Sequence, residues 1–353
     1  MKGLVLAGGT GSRLRPITFS MAKQLIPIAN KPIIEYGLEH LADAGVLDVG
    51  VVVSPETGGA IRKAVSEPAR RLGLELAFIV QGEPLGLAHA LRTALPFVDG
   101  DDCLMYLGDN LVKRGITEVV TEFERERPNC QVMLSRVANP SAFGVAELAD
   151  DGAIRHLVEK PIDPPSDLAL VGVYLFDATI AEAVESIEPS PRGEYEITDA
   201  IQYLIDTGRS VRASIVTDWW KDTGTREDLL AAQRLVIAEV AHDVQGEVTG
   251  SRIEGGVHVG AGARVIDSTL RGPVVIGDGA EIVRSTIGPE TSIGARCRII
   301  GGGVEGSIVM EDSCIEGWRI SASIVGRGAS LHGDPPEGIV TVMLGDQSEI
   351  AGP

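Results

Sequence analysis

Three rhythms of apolar and polar positions follow one another along this chain. Up to about residue 107, short apolar runs at 4–7, 49–53, 74–80 and 103–107 alternate with stretches of helical spacing. One such stretch opens at Lys31-Pro32, carries Ile34, Leu38 and Leu41 on one face and stops at Gly45. Another covers 61–72 with a break expected at Pro68, and a third covers 86–95. Strand and helix in turn predict an α/β fold with a mostly parallel sheet covered on both faces. From Val132 onward the runs lengthen, at 142–145, 154–158 and 171–176, and the alternation loosens.

The third rhythm is a repeat of about six residues. Ile253, Val259 and Val265 are followed by Leu270, Ile276 and Ile282, then by Ile287, Ile293 and Ile299, with Gly often next to the apolar position. Three hexads make one triangular coil whose apolar residues point inward, so the segment reads as a parallel β-helix. The period slips near Gly301-Gly302-Gly303 and resumes weakly through Val309, Ile315, Val325 and Leu331, before a closing strand at 339–344. The helix expected after Thr225-x-x-Asp228 leads to Gly246 and a domain boundary, which divides the chain into 1–242 and 243–353.

Composition narrows the function. A chain of 353 residues has room for two domains, and a net charge of −19 argues against a nucleic-acid partner, which needs a basic face. A small anionic substrate is compatible only where cations gather locally. Four cysteines without CxxC spacing and the lack of an 18-residue apolar run fit a soluble, cytoplasmic protein with free thiols and no membrane segment.

Local cations appear at one place above all. The first apolar run stops at Gly8-Gly9, and Thr10, Gly11 and Ser12 offer mostly backbone N–H groups, which suit an anion. Arg13 follows directly and Lys23 ten residues later, so a planar fork and a point charge can meet what the loop holds. The loop lacks the Gly-Lys-Ser/Thr of a P-loop and the third Gly of a dinucleotide fingerprint. A polyphosphate is the ligand it proposes. Further along, the run at 103–107 leads straight into Gly108-Asp109-Asn110, placing a hard carboxylate beyond a strand's carboxyl end, where Mg²⁺ on a triphosphate would sit. Thr198-Asp199 reads as the N-cap of a helix through Leu204, and His89 as a helix-surface residue.

GGTGSRLRP, residues 8–16, and the Lys23-Gln24-Leu25-Ile26-Pro27 that follows resemble the signature of the sugar nucleotidyltransferases. The resemblance implies an α/β, Rossmann-like nucleotidyltransferase domain with a mixed, mostly parallel sheet, followed by a C-terminal parallel β-helix of the left-handed form. Gln81 to His89 resembles the family segment that holds the base, with Gln81 on its edge and Gly86 allowing close backbone approach. Together with Gly8, Gly9, Gly11 and Gln24 these are the nucleotide-binding residues. Gly144 and Glu159 face the sugar, as do Gly172 and Tyr174, while Lys160 and Arg192 meet its phosphate. Trp220-Lys221-Asp222-Thr223-Gly224 resembles the block whose carboxylate, here Asp222, shares Mg²⁺ with Asp109.

The implied chemistry is attack by the sugar-phosphate oxygen on the α-phosphorus of a nucleoside triphosphate, with Arg13, Lys23, Lys160 and Arg192 as the catalytic cations. Lys followed by Gln is more similar to the thymidylyl branch, which makes dTTP and glucose 1-phosphate the expected substrates and deoxysugar synthesis the expected role. A uridylyltransferase, an acyltransferase using the β-helix and a non-catalytic subunit are the other readings. The exposed coil faces suggest a homo-oligomer.

Overall fold

The first apolar run forms β1 (Lys2–Ala7), buried from Gly3 onward. After it come β2 (Pro27–Ile28), β3 (Lys31–Pro32), β4 (Asp48–Val53), β5 (Glu75–Val80), β6 (Cys103–Leu107) and β7 (Asn110–Val112). Then follow β8 (Cys130–Arg136), β9 (Gly144–Leu148), β10 (Ile154–Glu159), β11 (Leu168–Phe176), β12 (Val211–Ile215) and β13 (Trp220–Asp222). The helices are α1 (Ile33–Asp43), α2 (Gly58–Leu72), α3 (Leu87–Val98), α4 (Thr117–Glu126), α5 (Ile180–Ser186), α6 (Ile197–Asp206) and α7 (Arg226–Ile237). This structure, a computed structural model, describes residues 1–150 and 152–352. They group into two compact units, Met1–Thr10 with Ile33–Asp222, and Gly11–Pro32 with Thr223–Pro353.

In the first unit β6, β1, β4 and β5 lie side by side and parallel, with β11 antiparallel against β6. β8 and β9 pair antiparallel with β11, which makes the sheet mixed. The chain leaves β1 for β4 and β5 on one side and returns to β6 on the other. The order therefore reverses between β1 and β6, where open α/β sheets bind ligands beyond the strands' carboxyl ends. β7 and β13 form a separate two-stranded ribbon.

Local expectations needed correction at several points. Lys31-Pro32 belongs to β3, and α1 begins only at Ile33. α2 runs through Pro68 unbroken: an interior Pro costs a helix about 3 kcal/mol, but Pro68 lies on the buried face with Ile61 and Val65, and that burial holds the turn. Thr198 and Asp199 sit inside α6, not at its cap, because the backbone turns helical already at Ile197, after an extended Glu196 at the cap.

In the second unit, β2 and β3 form a hairpin, and α7 starts at a capping box in which Thr225 and Asp228 satisfy each other's backbone N–H. Beyond it, three parallel sheets of seven, seven and five short strands stack into a left-handed β-helix. Val259, Ile276 and Ile293 succeed one another in register in its interior. Ser251, Ser268 and Ser285 stack at one corner, each hydroxyl accepting from the backbone N–H one coil on, the last from Gly302. Such ladders satisfy polar groups that a dry interior would otherwise strand.

The expected interruption at residues 301–303 does not occur. Val304, Val309, Ile315, Ile320, Val325 and Leu331 all remain inside. The step in register is seventeen residues up to Ile293 and sixteen from there to Val309, because the corner between Val304 and Val309 lacks one residue relative to the Gly288-Pro289 corner. The closing strand at 339–344 shortens to Met343–Leu344 plus a single bridge from Val340 to Ile320. Cys103, Cys130 and Cys297 are buried free thiols and Cys314 is half-buried.

Candidate active site

In the sheet unit, Gly8 and Gly9 end β1 and Gly108-Asp109 end β6, so these two turns flank the reversal in strand order. A Cβ on Gly8 would come 3.1 Å from Oε1 of Gln81, and nothing lies within 4 Å of one on Gly9. Gln81 is buried, and its amide donates to Nδ1 of His89 at 2.9 Å. An amide N–H can only donate, so Nδ1 accepts, and burial first, then the nearby Arg92, holds His89 below the usual histidine range. His89 is thus half-buried and orients the base-reading candidate, where a surface residue was expected. Gly86 has φ +103, and a Cβ there would lie 2.5 Å from the carbonyl oxygen of Tyr195. Only glycine lets the 84–88 and 190–196 loops pair as they do, through Tyr195 N–H to Leu85 O and Ala88 N–H to Tyr195 O.

Asp109 and Asp222 come from segments more than a hundred residues apart, yet β7 and β13 pair with Asp222 directly opposite Asn110. Asn110, buried, donates to Oδ1 of Asp109 at 2.9 Å and accepts from the indole N–H of Trp220 at 2.5 Å. Tyr106 donates to the Asn110 carbonyl, and Phe143 meets the Trp220 ring edge-on. Asn110 therefore fixes one carboxylate relative to the strand that carries the other. Among the described residues no cluster of three or more His, Cys, Asp or Glu could hold a metal ion. A pair of carboxylates fits an ion whose other ligands come from phosphate and water, as Mg²⁺ prefers.

A third group surrounds Glu159, at the end of β10. Lys160 lies 3.3 Å from its carboxylate and Arg192 3.4 Å, and Thr198 faces it. A Cβ on Gly144 would meet Thr198 at 2.7 Å, Leu170 at 2.8 Å and Glu159 at 3.1 Å. Arg192 also pairs with Glu196 and Glu194. Burial pushes the carboxyls of Glu196 and Asp199 above their usual range, and the neighbouring charge of Glu159 adds to it. Gly172 is required by packing, since a Cβ would strike Leu107 at 2.7 Å. Tyr174 lies in the hydrophobic core, its ring parallel to Phe176.

The remaining candidates stand in the second unit. Gly11 is left-handed, with φ +60, and a Cβ there would press on Thr18 at 3.0 Å and Lys23 at 3.1 Å. Thr18 donates to the Gly11 carbonyl, tying the loop back on itself. Arg13 is exposed, Lys23 is buried, and Gln24 is buried with an Oε1 that has no hydrogen-bond partner among the described residues. A buried acceptor without a donor is a costly arrangement that a ligand donor would relieve.

Sequence reasoning assigned no role to Asn110, Glu196 or His89. Asn110 stood in the Gly-Asp-Asn run, but its partner Trp220 is reached only through the fold.

A family model described as Nucleotidyl transferase matches residues 2–239. The chain is 48% identical to a glucose-1-phosphate thymidylyltransferase of Streptomyces antibioticus, with 99% of each chain covered. It is 48% identical to one of Streptomyces griseus, over 99% of this chain and 98% of that one. A solved structure described as a putative glucose-1-phosphate thymidylyltransferase of Bacillus anthracis is 34% identical, with TM-score 0.63 over 67% of this chain and 94% of that one.

Proposed function

Because the chain belongs to the nucleotidyl transferase family, we propose that it is a glucose-1-phosphate thymidylyltransferase that joins dTTP and glucose 1-phosphate into dTDP-glucose and pyrophosphate. The observation that carries the reading is the strand reversal flanked by Gly8-Gly9 and Gly108-Asp109, with Asp222 registered against Asn110.

The reaction needs alignment and charge neutralisation, with no enzyme nucleophile. An oxygen of the sugar phosphate attacks the α-phosphorus while the bond to pyrophosphate breaks in line. Arg13 steadies the departing phosphates and Lys23 the α-phosphate and the sugar phosphate, with Gly8, Gly9 and Gly11 supplying backbone N–H groups. Gln24, with its unpartnered acceptor, and Gln81, aimed by His89, take nucleotide donors, and Gly86 admits the base. Gly144, Glu159, Gly172 and Tyr174 serve the sugar.

Lys160 and Arg192 bind its phosphate. Both already face carboxylates, so the incoming dianion exchanges one set of ion pairs for another at modest desolvation cost. Asp109 and Asp222 would hold Mg²⁺, which when bound neutralises phosphate charge.

The domain division at 242 and 243, a cytoplasmic location and a homo-oligomer belong to the same proposal. Among the described residues no helix is long and apolar enough to cross a membrane.

A coupled pyrophosphate assay with Mg²⁺ tests the reading. Release should require both dTTP and glucose 1-phosphate. A pocket reading one methyl group gives about 1–3 kcal/mol of discrimination, so UTP should be slower by roughly tenfold to a hundredfold. Faster turnover with UTP would make the protein a uridylyltransferase instead.

A further inference from the structure

The segment that carries Arg13 and Lys23 belongs with the β-helix. Residues Gly11–Pro32 group with Thr223–Pro353, not with the sheet that precedes and follows them in sequence. Two places attach the segment. Near its start, Pro16 lies against Gly345, where a Cβ would approach the Pro16 carbonyl oxygen to 3.1 Å. Near its end, Asn30 donates from Nδ2 to the carbonyl of Ile293 at 2.8 Å, and the N–H of Ala29 donates to Oε1 of Gln233 on α7 at 2.8 Å. The Ile293 carbonyl also accepts from Gly277 within its own sheet, so Asn30 uses the coil's spare lone pair. The strand of Ile293 and the strand before Gly345 are three ladder steps apart, roughly 14 Å at sheet spacing.

The second attachment holds a strained turn. Ala29 and Asn30 are both left-handed, with φ 50 and 65, as in the tight hairpin turns that Asn and Gly favour. Alanine does not favour this region, and it persists there only when its surroundings insist. Packing alone does not insist, because a cavity of about 750 Å³ opens beside the turn, lined by Ala29, Asn30, Val236, Val240, His258 and Met310. Two hydrogen bonds hold what packing leaves loose, and one comes from the fully buried Gln233.

We propose that the β-helix is the platform that positions the triphosphate-gripping segment, with Asn30 and Gln233 as positioning residues that act through Arg13 and Lys23. This rests on the reading in which those two cations meet the triphosphate. It gives the C-terminal coils a part in nucleotide handling apart from any assembly role.

The test uses the full-length protein, Asn30→Ala, and Gly345→Leu, which drives a wedge under Pro16 from the far end of the chain. Hydrogen exchange of peptides within residues 11–32 and the KM values for dTTP and glucose 1-phosphate are measured for each. In both variants, exchange in that segment should quicken at least fivefold while β11 keeps its protection. The KM for dTTP should rise fivefold to twentyfold, and that for glucose 1-phosphate, whose phosphate Lys160 and Arg192 still hold, should stay within twofold.

Unchanged exchange and an unchanged KM for dTTP would overturn the proposal, as would equal loosening of the whole chain or an equal rise in both KM values. If Asn30→Ala does not fold, Gly345→Leu decides. Should the wild-type protein release pyrophosphate from no triphosphate, the functional reading fails, while the exchange data still decide whether the coils hold the segment.

Discussion

Glycine is used differently in the two units. In the β-helix, Cβ atoms on Gly260, Gly277 and Gly294 would each strike the backbone of the neighbouring coil, at 2.8 Å from Asp278 N, 2.5 Å from Ala295 N and 2.5 Å from Glu311 N. One stacking constraint is met three times. In the sheet unit, Gly86 is confined by the Tyr195 backbone, Gly144 by Thr198, Leu170 and Glu159, and Gly172 by Leu107. Each answers a different neighbour, and all three are proposed to meet substrate. Repetition spreads a structural demand over many positions, whereas chemistry loads it on positions with no equivalent elsewhere.

The largest effect is expected where nothing repeats. Lys23→Ala should slow turnover a hundredfold to a thousandfold, roughly 3–4 kcal/mol of barrier by analogy with other positioned donors, with steady-state pyrophosphate release as the measure. Turnover close to wild type would remove Lys23 from the mechanism. Next, Gly144→Ala must displace Thr198, Leu170 or the Glu159 carboxylate, and overpacking of this kind costs about 1–3 kcal/mol. Chemical denaturation should read that loss, and the KM for glucose 1-phosphate should rise with it. A fall in stability without a change in that KM would reduce Gly144 to a packing residue.

The β-helix should be more forgiving. Ile282→Val shortens one rung of a stacked interior and should cost roughly 0.5–1.5 kcal/mol, with kcat and both KM values unchanged below the melting temperature. A kinetic change would mean that the coils couple to catalysis even where no attachment of the 11–32 segment is involved.

The smallest effect depends on pH. Burial, then the charge of Glu159, raises the Asp199 carboxyl above its ordinary 3.8. A carboxyl raised in the folded state binds more protons folded than unfolded, so stability is lost as pH rises from 3.8 through the raised value. Asp199→Asn removes that loss. It should melt higher than wild type at pH 7 and indistinguishably from it below about pH 3.8, as differential scanning fluorimetry would show.

The patterns readable along the chain were those enforced by periodicity. The hexads from Ile253 to Ile299 gave the coil interior residue by residue, and the apolar runs gave the parallel centre of the sheet. Pro68 misled, because local propensity yielded to a buried face. The slip expected near residue 301 was a shorter corner with its interior intact, since the coil repeats its ladder and not its residue count. For the candidate site, the family signature named the carboxylates and cations, and their assigned roles stand as proposals. What it left out were the contacts that aim them. The clamp of Asn110 on Asp109 and Trp220 joins segments 110 residues apart, and the amide of Gln81 turned toward His89 depends on how a loop folds onto a helix.

The corners from Val304 to Val309 and from Ile320 to Val325 each turn with one residue fewer than those from Leu270 to Ile276 and from Ile287 to Ile293, and the rungs above the first still fall in line. Inserting or deleting a residue there changes the sequence length without changing which side chains face inward. The same edit inside a three-residue strand would swap inward and outward faces at once. Natural variation in the length of this protein should therefore gather at such bends, and an engineer seeking room for a tag or a graft should begin there.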